Sequence, residues 1–302
     1  MSNDEKWQDT GSAKVGCESF HPKRHLRSDK WEAGAYPSIA DYMTLEVQQM
    51  DGASFQPTKL FHVTNYVGFQ GIRADRAFKS ETAKTIGTVD ACFSWWSFEI
   101  DQGEKERERN RYREIIYKNL NMKETLLSEF FNSPAFQDES RYGNFKLTYD
   151  IQTLIETYKS SVCDGQQPEF RVLGTFRYKQ EIMHAVVVHP PDVSLFQDYP
   201  AVPNGPESDA VVSVSDQGWK WRPESTGNQL TYRRWDHVSF AFYLPPEKQQ
   251  FKLPDGELPL TYCKIGKPDL SGSDPVSEEE FYRLTRESDQ TKFVKSFGKL
   301  AL

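Results

Sequence analysis

Two apolar runs, Phe170-Arg-Val-Leu-Gly-Thr-Phe-Arg177 and Glu181-Ile-Met-His-Ala-Val-Val-Val188, constrain this chain most, because only Tyr178-Lys-Gln180 lies between them. Both runs favour β-branched and aromatic residues, and so short a connection leaves them one way to pair, as an antiparallel hairpin. Pro190-Pro191 follows the second run and ends it, since proline cannot donate to a ladder. The sequence therefore predicts a sheet with a buried strand running from Glu181 to Val188.

The segments around the hairpin set the fold class. Thr58-Lys-Leu-Phe-His-Val-Thr64 reads as a strand, and Asn65 after it is a good N-cap for a short helix carrying Val67, Phe69 and Ile72. Ala91-Cys-Phe-Ser-Trp-Trp-Ser97 reads as a buried strand. The charged run from Glu104 to Glu114 suits a solvated helix, while Ile115-Ile-Tyr117 also fits a strand. Residues 123–131 suit a helix. Gly143-Asn-Phe-Lys-Leu-Thr-Tyr149 alternates like a strand, and Asp150 caps a helix with Ile151, Leu154, Ile155 and Tyr158 on one face. Beyond residue 200 come short segments at 210–214, 219–221, 229–232, 238–244 and 258–264, then a helix starting near Ser277. Strands and helices do not alternate regularly, so the class is α+β with a mixed or antiparallel sheet and a β-rich C-terminal part. The expected division is a flexible segment at 1–35, a core at 36–200, and an extension at 201–302 packed on that core.

Composition narrows the function classes. The 302 residues carry a net charge of −7, which disfavours a general nucleic-acid binder, whose affinity rests on neutralising phosphates. Aromatics make up 14%, so Phe, Tyr and Trp supply much of the buried area. No apolar run reaches the roughly 18 residues that span a bilayer, and Met1-Ser-Asn-Asp-Glu-Lys-Trp7 has no apolar signal region. Cys17, Cys92, Cys163 and Cys263 lie far apart, as free thiols do in a reducing compartment. The expectation is an intracellular protein, cytoplasmic or nuclear, with no membrane insertion. Cys17, His21 and His25 have zinc-ligand spacing, but Pro22 interrupts them and a fourth ligand is missing, so no metal is expected. His184, His189 and His237 read as core or edge histidines. Arg222, Arg233 and Arg234, interleaved with Trp219, Trp221, Tyr232, Trp235 and Tyr243, read as the coat of an aromatic sheet core; alternatively they form a recognition surface for a nucleic acid, a glycan or a partner protein.

Three constellations can carry chemistry. His62 and Thr64 share a strand face and can hydrogen-bond ribose hydroxyls or a carboxamide; alternatively His62 caps a sheet edge. Ser94 and Trp96 share a face of Phe93-Ser-Trp-Trp-Ser97 and can bond to and stack on a planar ring; alternatively that run is an aromatic core strand. Glu181 opens an apolar strand, where a carboxylate can stabilise a developing cation; alternatively it pairs with Arg177 or Lys179.

Taken in order, Leu60-Phe-His-Val-Thr64 with its helix, then Phe93-Ser-Trp-Trp96, then Glu181-Ile-Met-His-Ala-Val-Val187 resemble the ADP-ribosyltransferase fold of poly(ADP-ribose) polymerases and toxin-like transferases. The resemblance covers residues 56–190. It implies a mono-ADP-ribosyltransferase, or an NAD glycohydrolase, that takes NAD as substrate. His62 would bond the nicotinamide ribose, the Val63 backbone would hold the amide, and Thr64 would support the loop. Ser94 or Trp96 would replace the family's tyrosine. Tyr112 or Tyr142 would stack, and Arg141 would meet the pyrophosphate. Glu181 would stabilise the oxocarbenium-like transition state. The sequence departs from the family at Val63, where glycine is common, and lacks a Gly-x-Gly-x-Tyr segment. Those departures fit a second reading, a catalytically inactive domain of the same fold serving as a binding or scaffold module. A third is an unrelated nucleotide- or RNA-processing enzyme using His62 with another histidine as acid and base. The acceptor, protein or nucleic acid, and the oligomeric state are left open.

Overall fold

The computed structural model describes residues 47–49, 54–79, 84–86, 89–118, 136, 140, 142–178, 181–197, 199, 201–205, 210–222, 224–229, 232–264 and 277–286. In chain order the first elements are β1 (Val47–Gln49), β2 (Lys59–Thr64), α1 (Tyr66–Asp75), β3 (Ala77–Lys79), β4 (Lys84–Ile86), β5 (Val89–Glu99) and α2 (Gln102–Lys118). Then come β6 (Phe145–Asp150), α3 (Ile151–Ser161), β7 (Glu169–Tyr178), β8 (Glu181–His189) and a 3-10 turn at Ser194–Phe196. The last are β9 (Val212–Ser215), β10 (Gly218–Trp221), β11 (Glu224–Gln229), β12 (Tyr232–Leu244), β13 (Gln250–Lys252), β14 (Leu260–Tyr262) and α4 (Glu278–Arg286). The chain is α+β, with mostly antiparallel pairing and four helices among the described residues. The expected flexible segment at 1–35, the Cys17-His21-His25 group and the expected helix at 123–131 lie outside these residues.

The described residues form two compact units. One draws on Met1–Phe61, Arg76–Gln137 and Tyr149–Gly256; the other draws on His62–Asp75, Asp138–Thr148 and Glu257–Leu302.

In the first unit the hairpin forms with Tyr178 opposite Glu181 and Phe170 opposite Val188. A register shift between Val172 and Gly174 takes up one bulge. The central strand is β12, from the expected extension at 201–302. It pairs parallel with β8 along one edge, and antiparallel with β11 and β5 along the other. Residues 59–61 of β2 continue the sheet on β5, with Phe61 opposite Ser97, and β1 extends it on β11. A parallel pair needs a long crossover, and the chain between His189 and Tyr232 provides it through β9, β10 and β11.

Both faces of this sheet are covered. His184, Ala185, Val186, Val187, Val188 and His189 are all fully buried, as in strands roofed on both sides. One face carries Trp96, Phe98, Phe240 and Phe242, packed with Phe78, Phe251 and Tyr158 of α3. The other carries Phe93, Ala241, Tyr243 and Val187 beneath Phe196. Helix α3 begins where Asp150 accepts from the Thr153 amide at 3.2 Å, as its sequence predicts. The Tyr158 hydroxyl lies 2.7 Å from Tyr243 O and 3.1 Å from Val188 O, so one buried O–H ties α3 to two strands. Tyr158→Phe keeps the ring and removes the donor. It is expected to cost about 1 kcal/mol in urea unfolding, the net worth of one such bond. No loss at all would show that the carbonyls are satisfied without it.

Helix α2 settles the ambiguity at residues 115–117: they continue the helix. Asp101 caps it by accepting from the Gly103 amide at 2.8 Å. Glu104 is buried and accepts from the Gln56 amide at 2.7 Å. Burial pushes its carboxyl above the usual range, while the Gln56 bond and Arg107 act the other way.

The second unit is small. Residues 145–148 of β6 pair antiparallel with β14, Leu147 opposite Leu260. Its core is Phe69 of α1, Phe145 of β6, and Phe281 and Leu284 of α4. Phe69 and Phe145 stack at 4.7 Å. Ser277 starts α4 by accepting from the Glu280 amide at 3.1 Å.

Candidate functional site

The sequence-predicted site residues fall into both units. In the second unit, His62, Val63 and Thr64 end β2 and are half-buried. Asn65 turns the chain into α1: its Oδ1 accepts from the Gly68 amide at 2.8 Å and its carbonyl from the Phe69 amide at 2.9 Å. Two glycines then make room for Thr64. A Cβ on Gly68 would run into the Thr64 hydroxyl. A Cβ on Gly143, where φ is +133°, would strike the Thr64 carbonyl and lie 2.5 Å from the Asn65 nitrogen. At Gly143 the main chain therefore passes directly against residues 64–65, which only glycine allows.

That crossing is held from the other side as well. The Ser140 amide donates to Lys264 O at 2.8 Å, and the Cys263 amide to Asn144 O at 2.8 Å. Tyr142, next to Gly143, donates its amide to Ser140 Oγ at 3.0 Å and leaves its side chain 58% exposed. Val67, two residues beyond Asn65, is 67% exposed. The structure thus brings Tyr142-Gly143 to the strand end that carries His62, Val63 and Thr64. Arg141 lies outside the described residues.

In the first unit, Ser94 and Trp96 do share a face, but it is a core face, which corrects the expected pocket wall. Trp96 is 2% exposed and Ser94 5%. Trp96 Nε1 donates to Ser94 Oγ at 2.9 Å, so the two polar groups satisfy each other. The indole is ringed by Phe78, Tyr149, Phe242 and Phe251, at centroid distances from 4.9 to 6.4 Å. The physical reason is coverage. Alternation fixes which residues share a face, and here both faces are roofed.

Glu181 opens β8 opposite Trp235. Following the ladder, Trp96 pairs with Phe240 and Phe240 with Val186; Ser94 pairs with Phe242 and Phe242 with Val188. At about 3.3 Å per residue and about 4.8 Å between strands, the Glu181 backbone is roughly 19 Å from Trp96 and roughly 25 Å from Ser94. The structure does not bring these residues together. Tyr112 belongs to α2.

Two features of the structure carry little signal in the sequence. Gly143 needs a positive φ and a close main-chain neighbour, and its only local sign is a glycine after an aromatic residue. His189 is fully buried, with Nδ1 2.7 Å from Pro190 O and Nε2 facing Glu169. Its sign is a histidine at a strand end directly before Pro190-Pro191. Elsewhere burial pushes the Tyr149 hydroxyl and the Cys163 thiol up to about 12 each, so both stay protonated at neutral pH. Among the described residues no group of three or more His, Cys, Asp or Glu is placed to hold a metal ion, and no helix is long and apolar enough to cross a membrane. No protein-family model, no curated protein and no solved structure matches this chain.

Proposed function

We propose that this chain is a binding module that does not turn NAD over. The observation that supports this most is the commitment of Ser94 and Trp96 to the core. They bond each other, and their ladder rows meet β8 five and seven residues from Glu181. Breaking a glycosidic bond needs a carboxylate and its positioning groups around one ribose, and a spacing of roughly 20 Å defeats that. Binding needs less. The crossing at Gly143 presents Tyr142 and Val67 to solvent on backbone held from both sides, and exposed aromatics on rigid supports make good anchors.

The test is incubation of the full chain with NAD and measurement of nicotinamide release. Wild type and Glu181→Ala are expected to release it equally, at the rate seen in buffer. Release above buffer that Glu181→Ala abolishes overturns the reading.

A second reading keeps NAD as the ligand, in a mono-ADP-ribosyltransferase or NAD glycohydrolase. One observation favours it: Tyr142-Gly143 lies against the strand end that carries His62, Val63 and Thr64. In this reading the nicotinamide side of NAD sits against that strand end, with Tyr142 as the stacking ring. Addition of NAD then raises the melting temperature by mass action, and His62→Ala removes the increase.

A further inference from the structure

His189 closes β8 and is fully buried. Its two ring nitrogens meet different neighbours. Nδ1 lies 2.7 Å from Pro190 O, so it donates there as Nδ1–H. That bond fixes the neutral tautomer and leaves a lone pair on Nε2. Nε2 has no hydrogen-bond partner among the described residues and faces Glu169 Oε2 at 4.0 Å. A buried acceptor on His189 therefore opposes a carboxylate whose side chain is 37% exposed.

Glu169 belongs to a longer chain of contacts. Arg171 Nη2 donates to the same Oε2 at 2.5 Å, and Arg171 Nη1 donates to Tyr199 O at 3.1 Å. The backbone fastens nearby: Arg171 bridges Ala201, and the Val202 amide donates to Phe170 O at 2.9 Å. Phe196, in the turn of the same segment, sits 4.8 Å from the His189 ring. The described residues 190–197, 199, 201 and 202 thus form a strap over His189, tied to β7 through Arg171.

We infer that this strap is released by acid: a proton taken from solvent onto His189 Nε2 draws Glu169 away from Arg171, loosens the hold on Tyr199 O and frees the strap from β7. One carboxylate then serves two cations, the imidazolium and the guanidinium. The imidazolium also needs solvation that the closed strap denies it.

The charges around the ring set the direction. Glu169 and Arg171 face it from β7, and Asp192 from the strap, while Tyr243 of β12 packs on Phe196. Burial is the largest influence and holds His189 below the ordinary histidine value of 6.5. The Pro190 bond, Glu169 and Asp192 pull upward, and Arg171 adds to the lowering. The closed form therefore binds fewer protons than the open one. Its stability is full above the ordinary histidine value and is lost as pH falls through the lower value of the closed form.

Hydrogen exchange of the full chain, corrected for intrinsic rates, reads this directly. Between about pH 7.5 and about pH 5, strap amides are expected to lose protection about tenfold for each pH unit over which the proton is taken up. Amides of β12 should hold theirs. His189→Asn keeps a donor for Pro190 O and cannot titrate, so its strap should exchange independently of pH. A flat wild-type profile, or the same fall in His189→Asn, overturns the inference. Glu169→Gln gives a second arm should His189→Asn not fold. Without the carboxylate, Arg171 loses its anchor at every pH, so the strap should already exchange fast at neutral pH. A strap as protected as in wild type would equally overturn the inference.

Discussion

Gly143→Ala is expected to cost about 3 kcal/mol or more. Two terms add. The φ of +133° is open to glycine and costs other residues about 1–3 kcal/mol. The new Cβ then meets the main chain of Thr64 and Asn65, which has no rotamer to move to. Two controls separate the terms. Gly165 has a φ of +84° with nothing within 4 Å of where a methyl would stand, so Gly165→Ala carries the conformational cost alone. Gly68→Ala clashes with the Thr64 hydroxyl, a side chain, and otherwise meets only Asn65 Oδ1 and Thr64 Cβ at 3.4 Å, so adding Thr64→Ala should rescue it. The same Thr64→Ala cannot rescue Gly143→Ala, because that clash is with backbone. Urea and thermal unfolding of the three glycine variants, and of Gly68→Ala and Gly143→Ala each combined with Thr64→Ala, check this. A Gly143→Ala no worse than Gly165→Ala would mean that the chain does not cross so closely there.

The second large effect is at Trp96. Trp96→Ala is expected to destabilise by about 3–5 kcal/mol, the range for emptying a buried aromatic site. The indole is 2% exposed and touches four other aromatic rings, so the surroundings cannot collapse into the space without breaking their own contacts. Trp96→Phe is a finer probe. It retains most of the ring but strips Ser94 Oγ of its donor, an orphaned buried acceptor worth about 1–3 kcal/mol. Adding Ser94→Ala to Trp96→Phe should recover roughly 1 kcal/mol of that loss, since both partners are then apolar. These numbers bear on function. A residue lining a ligand site can be trimmed with little loss of stability, whereas one inside the core cannot. A Trp96→Ala that unfolds less than about 1 kcal/mol more easily than wild type would return Trp96 to the candidate ligand wall.

The four helices and the principal hairpin were legible because their signals are local. Asn65, Asp150 and Ser277 cap the helices that follow them, and the side-chain acceptor lies only three residues from the amide it serves. The β7–β8 hairpin follows from two adjoining apolar runs. Alternation likewise showed that Ser94 and Trp96 share a face.

What covers that face was beyond the sequence. Tyr158, Phe242 and Phe251 reach Trp96 and its neighbours from distant parts of the chain, and nothing in Phe93-Ser-Trp-Trp96 announces them. The parallel pairing of β8 with β12 was equally hidden, because it joins segments about fifty residues apart and depends on which strands win the two edges of β12. That one pairing sets how many ladder rows separate Glu181 from Trp96. The sequence by itself determined the caps, the hairpin and the face each strand residue takes, because these depend on neighbours within a turn or two. Only the tertiary structure decided which faces are roofed, where Glu181 stands, and that Gly143 meets Thr64, because those follow from long-range contacts that no local period encodes.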